Sequence, residues 1–185
     1  ARKAVEDIGY VDEAIGFSAR TARCLQFVHS QSPDIAMGVN EGENKDQGAG
    51  DQGMMFGYAC NETDELMPLP IMLAHKLARR LAEVRHNDEL EYLRPDGKTQ
   101  VTVEYEDDKP VRVSKILLAA QHAAGISHAQ LESELTEYVV DPVIPLALRH
   151  GDMDIMVNRT GQFILGGPAA DSGVTLDERG FIFVN

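Results

Sequence analysis

The fold of this chain is decided by Val101-Thr-Val-Glu-Tyr-Glu-Asp-Asp-Lys-Pro110 and by the apolar run 111–119 that follows it. Residues 101–106 alternate between apolar and polar, which is the period of a half-buried strand. Residues 107–110 have the composition of a turn, so 111–119 is predicted to return as the partner strand. The stretch therefore predicts an antiparallel hairpin.

A helix is predicted on each side of this hairpin. Over residues 66–85 the apolar side chains recur on one stripe and the charged ones lie off it, which is the pattern of an amphipathic helix. Ser127 and Gln130 form a capping box at the start of a second helix, which we expect to end before Pro142.

Apolar runs at 54–59, 153–158 and 162–165 predict the remaining strands. From 54 to 165 the order is then strand, helix, hairpin, helix, strand. This order is typical of an α+β protein, here a two-layer βαββαβ unit with both helices on one face of an antiparallel or mixed sheet.

The residues before this unit predict part of a second one. Residues 1–8 have the pattern of a helix that Gly9 ends, and 21–30 are apolar enough for a strand. We expect them to be the helix–strand tail of a preceding, similar unit whose first half lies upstream. The polar connection 31–50 shows no helical or strand period, and loops of this length are usually mobile lids or linkers, so it predicts a domain boundary.

The composition excludes several classes of protein. The chain has 185 residues, with 30 Asp and Glu against 17 Lys and Arg, a formal net charge of −13. No nucleic-acid partner is expected, because proteins that bind the phosphate backbone present basic faces. No apolar run approaches the ~20 residues that cross a bilayer, so no membrane partner is expected and a cytoplasmic location is the default. Two cysteines exclude a disulfide framework, and the six histidines lack the spacing of metal ligands.

Three glycine-containing loops are the candidates for chemistry. Gly48-Ala-Gly-Asp-Gln-Gly53 lacks the flanking strand and helix of a dinucleotide fingerprint, so it is either a plain turn or a backbone that approaches a nucleotide closely. Arg94-Pro-Asp-Gly-Lys-Thr-Gln100 is either an ordinary turn before a strand or one that projects Asp96 and Lys98 towards a phosphate or ribose. Gly166-Gly-Pro-Ala-Ala-Asp-Ser-Gly173 is either a connecting loop or a backbone concavity with a single charge.

These loops and their flanks resemble bacterial S-adenosylmethionine synthetase (methionine adenosyltransferase), almost continuously from residue 1 to about residue 175. The stretches that carry the resemblance are Gln31-Ser-Pro-Asp-Ile35, Gly48-Ala-Gly-Asp-Gln-Gly-Met-Met-Phe-Gly-Tyr-Ala59, Asn61-Glu-Thr-Asp64, Met67-Pro-Leu-Pro70, Leu93-Arg-Pro-Asp-Gly-Lys-Thr-Gln-Val101, Asn158-Arg-Thr-Gly161 and Gly166-Gly-Pro168. The resemblance implies an enzyme that forms S-adenosylmethionine from ATP and L-methionine with release of phosphate and diphosphate, a step of one-carbon metabolism. It also implies Mg²⁺ and K⁺ as cofactors, whose usual ligands lie mostly outside this chain.

The resemblance further implies three similar domains around a pseudo-threefold axis. This chain, truncated at both ends, is then expected to hold the C-terminal part of the first domain in residues 1–47, including a flexible gate loop at 31–47. Residues 48–168 are expected to form the central domain, and 169–185 the divergent start of the third. Members of the family pair through broad sheet faces, with active sites between two subunits, so a homodimer or tetramer is implied.

Matching motif positions imply the site residues. The implied catalytic residues are Lys98, Asp51 and Asp171. The implied ATP contacts are Asp51, Asp96, Gly97, Lys98, Gln162, Phe163 and Asp171, with Lys98 on the triphosphate and Phe163 on the adenine side. The implied methionine contacts are Gln31 and Asp171, and the gate begins with Gln31, Ser32, Pro33, Asp34 and Ile35. No residue of this chain is predicted to bind a metal.

Two departures from the family bear on activity. Gln162 stands where the family has Arg, and Leu176-Asp177-Glu178 follow Thr175 where the family has Gly-Arg-Lys, a segment with a phosphate-binding cationic pair. A departing triphosphate needs cationic surroundings, and the net charge of −13 works against them. The alternative hypothesis is therefore a catalytically silent, truncated module that keeps the fold and self-associates.

Overall fold

The computed structural model describes residues 1–44, 46–171, 174–176 and 182–184. The chain forms two compact units, one made of Ala1–Ala22 with the chain from Ala59 onward, the other of Arg23–Tyr58. The helices are α1 (Arg2–Ile8), α2 (Pro33–Val39), α3 (Leu69–His86), α4 (His128–Leu135) and α5 (Asp141–Val143). The strands are β1 (Leu93–Glu106), β2 (Lys109–His122), β3 (Asp154–Val157), β4 (Val174–Leu176) and β5 (Ile182–Val184).

The predicted hairpin is confirmed, and both of its strands are longer than the alternation indicated. β1 and β2 pair antiparallel up to Glu106 opposite Lys109. Asp107 and Asp108 alone make the turn, with φ of 49° and 59°. These are the two left-handed residues that a type I′ connection requires, and Asp tolerates that conformation better than most residues do.

The first unit is a sheet covered by helices. β3 pairs parallel to β2, with Val157 opposite Leu118, so the strand order is β1-β2-β3. One hydrophobic core joins α3, α4 and this sheet. Its fully buried members include Leu77 and Val84 from α3, Ile116 and Leu118 from β2, and Leu131 and Leu135 from α4. The α+β class predicted from the sequence is therefore confirmed.

Three apolar runs predicted as strands are not strands: 21–30, 54–59 and, in the loop after β3, 162–165. Within the described residues, 21–30 and 54–59 have no partner in a β-ladder, and their large side chains are exposed, Phe27 by 88% and Phe56 by 89%. Apolar content does not make a strand where no neighbouring chain pairs the backbone groups. As described, the order is helix, hairpin, helix, strand, without the first strand of the predicted βαββαβ unit.

The second predicted helix does not end before Pro142. α4 passes into a π-helical turn, Thr136–Val140, and then into α5, which contains the proline. Pro142 has no N–H to offer the carbonyl of Tyr138, four residues earlier. Arg80 Nε on α3 donates to that carbonyl at 2.9 Å instead. The helix can therefore continue through the proline because a neighbouring helix supplies the donor.

The connection 31–50, predicted to lack regular structure, contains α2. The Ser32 hydroxyl accepts a hydrogen bond from the Ile35 N–H at 3.4 Å, and Pro33 occupies the first turn. A serine cap followed by proline is a helix start that is readable in the sequence. The chain then returns to α2, where the Gly48 N–H donates to the Val39 carbonyl at 2.8 Å.

Candidate functional site

The turn predicted within the stretch 94–100 is an irregularity inside β1. The pairing of β1 with β2 is interrupted between Leu93 and Gly97. Within this interruption the Asp96 N–H donates to Gln121 Oε1 at 3.4 Å, and Asp96 Oδ2 accepts from the Gly167 N–H at 2.8 Å. Bulges of this kind redirect side chains, and this one directs Asp96 to the loop that follows β3.

Gly97 is required by packing. A Cβ at this position would lie 2.8 Å from Leu81 Cδ2 and 3.2 Å from the Ala119 carbonyl oxygen. Glycine therefore lets β1 approach both α3 and β2 closely. Its implied contact with ATP stays a prediction.

Two clefts open beside the bulge and share one wall. The first cleft, of about 370 Å³, is lined by Asp96, Lys98, Phe163 and Asp171 among others. The second cleft, of about 310 Å³, is lined by Lys98, Gln162 and Phe163 together with residues of β2 and of the turn after β3. Lys98 and Phe163 belong to both clefts. Five residues predicted from separate stretches of sequence therefore lie side by side.

The loop that carries Gln162 and Phe163 is attached to the end of β2. The His122 N–H donates to the Phe163 carbonyl at 2.9 Å, and the Phe163 N–H donates to His122 Nε2 at 3.2 Å. Gln121 Nε2 donates to the Ile164 carbonyl at 3.0 Å. Two of these three hydrogen bonds involve side chains where a β-ladder would have backbone groups. The strand predicted at 162–165 does not form.

Asn158 connects the turn after β3 to β2. The residue is 4% exposed; its Oδ1 accepts from the Ala120 N–H at 2.8 Å and its Nδ2 donates to the Ala120 carbonyl at 2.9 Å. Its φ of 38° is a left-handed value that asparagine tolerates. The amide therefore pairs with Ala120 as a further strand residue would.

Gly166 allows the loop to pass close to the site. A Cβ on Gly166 would lie 2.8 Å from Phe163 Cε2, 2.8 Å from Gln121 Cδ and 3.1 Å from Asp96 Oδ2. No larger residue fits without moving the aromatic ring that both clefts share or the carboxylate beside it.

Tyr10 packs against the next residue, Gly167, whose φ is 65°; a Cβ on Gly167 would clash with the Tyr10 hydroxyl oxygen. Burial, and then the negative charge of Asp96, raises the pKa of Tyr10, while Arg85 acts in the opposite direction. The phenol therefore stays neutral next to the Asp96 carboxylate.

Three residues of this arrangement were not singled out from the sequence: Tyr10, Gln121 and His122. Asn158 belongs to the stretch 158–161 that carries the family resemblance, without a predicted role of its own. Gln121 and His122 end an apolar run in a core strand, and both are buried. Polar residues at such a position need hydrogen-bond partners, and that requirement is the signal that could have found them.

The remaining predicted residues lie in the second unit. Gln31 and Asp51 are exposed there, and Asp51 Oδ1 accepts from the Gln52 N–H at 2.7 Å. Ser32, Pro33, Asp34 and Ile35 form the cap and first turn of α2. Ser172, Gly173, Asp177 and Glu178 lie outside the described residues.

The first cleft carries more negative than positive charge. Among the described residues that line it, Asp96 and Asp171 are the acidic ones and Lys98 is the basic one. Within the residues that the structure describes, no three His, Cys, Asp or Glu side chains group to hold a metal ion. The same residues include no helix long and apolar enough to span a membrane.

One comparison identifies the family. The family model described as S-adenosylmethionine synthetase, central domain, matches residues 46–163, which is about two thirds of the chain. The match covers the hexapeptide at 48–53, the bulge of β1 and both residues of the wall between the clefts.

Proposed function

This chain belongs to the S-adenosylmethionine synthetase family, and from that premise we propose that it supplies part of a methionine adenosyltransferase site. The observation that carries the proposal is the shared wall of Lys98 and Phe163. An aromatic residue and a lysine that line the same clefts suit the two ends of ATP, because the base can pack on the ring while the phosphates meet the charge.

The proposed reaction is an in-line displacement at C5′ of ATP. The methionine sulfur donates a lone pair to form the S–C5′ bond of a sulfonium, and the C5′–O bond breaks with its electrons going to the triphosphate. The triphosphate is then hydrolysed to phosphate and diphosphate. Catalysis of this kind consists mainly of positioning and of stabilising the charge on the leaving group.

Four residues of the first unit have a role in this proposal. Lys98 pairs with the triphosphate, and Phe163 packs against adenine. Asp171 accepts from the methionine ammonium, and Asp96 anchors the loop to β1 through its bond to Gly167. Gln31 is proposed to contact methionine and Asp51 to contact ATP, roles that rest on the family resemblance alone.

Within the described residues, no three His, Cys, Asp or Glu side chains group around a common point. Mg²⁺ is commonly held by one or two carboxylates together with substrate phosphates, so Mg²⁺ and K⁺ stay predictions that rest on the family resemblance. No step of the proposed reaction is assigned to a metal held by these residues. A homodimer or tetramer and a cytoplasmic location stay predictions.

A second candidate function is a catalytically silent module that keeps the fold and self-associates. Two carboxylates against one amine in the first cleft favour it, because a triphosphate requires more positive charge than Lys98 provides.

The decisive experiment measures binding and turnover separately. Titration calorimetry of the chain with Mg²⁺ and a non-hydrolysable ATP analogue tests the cleft, and phosphate release with ATP and L-methionine tests the reaction. Lys98→Ala is expected to weaken nucleotide binding by about tenfold or more, since it removes the amine from both clefts, whereas Lys109→Ala, at the hairpin tip, leaves binding unchanged. Binding with no turnover supports the silent module; no binding by the wild-type chain overturns the nucleotide site.

A further inference from the structure

We propose that His122 is a positioning residue of the candidate nucleotide site, acting from its Nδ1-protonated tautomer through the backbone of Phe163. The proposal rests on the proposed function only where it predicts nucleotide affinity. Its structural part stands on the hydrogen bonds around the imidazole.

The tautomer follows from the partners of the two ring nitrogens. The Phe163 N–H points at Nε2 at 3.2 Å, so Nε2 must present its lone pair. Nδ1 lies 2.8 Å from the Ala123 carbonyl oxygen, so Nδ1 must carry the proton that it donates. A neutral imidazole can meet both demands in this tautomer only.

The contact matters because one residue holds both backbone groups of Phe163. The His122 N–H bonds the Phe163 carbonyl and the His122 ring bonds the Phe163 N–H. In an antiparallel ladder the second bond goes to a carbonyl, whose position is set by the strand. Here the acceptor is a ring 3% exposed, so the position of the Phe163 backbone depends on the orientation of one side chain.

The same loop has further attachments nearby. Gln121 Nε2 donates to the Ile164 carbonyl, and Asp96 Oδ2 accepts from the Gly167 N–H. Neither bonds Phe163 itself, which lines both clefts. His122 is therefore expected to set the position of the wall, while Gln121 and Asp96 retain the loop when that contact is lost.

The first test needs no variant. In the wild-type chain with ¹⁵N-labelled histidine, the Nδ1 and Nε2 shifts near neutral pH report which nitrogen carries the proton. We expect His122 to show a protonated Nδ1 and an unprotonated Nε2 with a cross-peak to the Phe163 amide. A protonated Nε2 at His122 overturns the proposal.

The second test separates the acceptor from the shape of the ring. His122→Leu keeps an apolar volume without an acceptor, and His122→Gln places an amide oxygen near the position of Nε2. Amide exchange at Phe163 is expected to speed up by about tenfold or more in the Leu variant, as for loss of one buried hydrogen bond, and to stay near wild type in the Gln variant. His75→Leu, an exposed histidine of α3, is the matched control. Equal exchange in the Leu and Gln variants overturns the proposal.

The third measurement links the contact to the site. The affinity for Mg²⁺ and a non-hydrolysable ATP analogue is expected to fall about fivefold to tenfold in His122→Leu and to recover in His122→Gln. Unchanged affinity in His122→Leu overturns the positioning role. If the wild-type chain binds no nucleotide, the proposed function fails, while the tautomer and the Phe163 exchange rates still decide whether His122 holds the loop.

Discussion

Single polar side chains replace backbone pairing at the candidate site. Asn158, His122 and Gln121 each bond a backbone group that lacks a strand partner at that point. A buried backbone group without a partner costs about 1–3 kcal/mol, so these side chains contribute to stability as well as to shape.

The first prediction concerns Asn158. Asn158→Gly removes both bonds to Ala120 but keeps a residue that accepts a φ of 38°, and we expect unfolding free energy to fall by about 1–3 kcal/mol. Asn158→Ala adds the strain of a left-handed residue and is expected to cost about 1 kcal/mol more. Urea unfolding measures both, with the exposed Gln100→Ala as control. Equal stability of all three variants would contradict the pairing role.

The second prediction concerns Gly166. Gly166→Ala puts a methyl group within 2.8 Å of the Phe163 ring, and we expect the ring to move and nucleotide affinity to fall. Overpacking of this kind costs about 1–3 kcal/mol, which unfolding will show as well. Gly57→Ala is the control, because a Cβ there meets nothing within 4 Å. A Gly166→Ala variant with unchanged affinity would show that the ring position does not matter for binding.

The site residues that could be predicted from sequence are those with a recognisable motif. Asp96, Lys98 and Phe163 were found in this way, and all three line the first cleft. His122 was not, because its role comes from a contact between residues 41 positions apart, and no local pattern carries that information.

The start of α3 shows how an element is stabilised from a distance. Its N-cap residue, Pro68, makes no side-chain cap bond. Glu62 Oε2 accepts from the Leu69 N–H at 2.9 Å and from the Tyr105 hydroxyl at 2.6 Å. A carboxylate at a helix N-terminus is also favoured by the helix dipole. One acidic side chain thus joins the cap of α3 to β1.

The third prediction uses the pH dependence of this cap. The Leu69 N–H, and then the Tyr105 hydroxyl, lowers the pKa of Glu62 below its usual 4.5. A lowered pKa in the folded state means that the stabilisation is full above about pH 5 and is lost as pH falls through the folded value. Glu62→Gln is therefore expected to be less stable than wild type at pH 7, with the difference shrinking towards pH 3.

Urea unfolding at several pH values measures this difference, and Glu106→Gln, an exposed glutamate at the end of β1, is the control. A Glu62→Gln difference that stays constant from pH 7 to pH 3 would contradict the cap.

The fourth prediction concerns the helix that continues through Pro142. Arg80 bonds the Tyr138 carbonyl and pairs with Glu89 at 2.7 Å. Arg80→Ala is expected to lower the unfolding free energy by about 2 kcal/mol, as expected for a hydrogen bond to a charged donor. The exposed neighbour Arg79→Ala should stay within about 0.5 kcal/mol of wild type. Thermal unfolding compares the two, and equal losses would refute a specific role for the Arg80 guanidinium.

Elements with their own periodicity were predictable, and elements that depend on a neighbour were not. The hairpin and α3 carry patterns of period 2 and 3.6 over many residues. The runs at 21–30 and 54–59 have only apolar content, and whether such a run becomes a strand depends on a partner outside the run. The continuation past Pro142 likewise depends on Arg80, 62 positions earlier.

For the whole molecule, the fifth prediction is self-association. Met54, Met55 and Phe56 are consecutive and exposed, Met55 by 96%. Contiguous exposed apolar surface is a typical interaction site. We expect light scattering to give a mass above that of one chain, and Met55→Asp with Phe56→Asp to reduce it. Leu146→Asp, at an isolated exposed leucine, is the control; a single-chain mass for the wild type at high concentration would contradict the prediction.

The wall of Lys98 and Phe163 that the two clefts share has a consequence for ligand binding. A small molecule that binds in one cleft contacts residues that also line the other cleft. We therefore expect adenosine and inorganic triphosphate not to bind independently, so that bound adenosine changes the affinity for triphosphate and the reverse. Replacing Phe163 by a smaller residue should abolish this dependence.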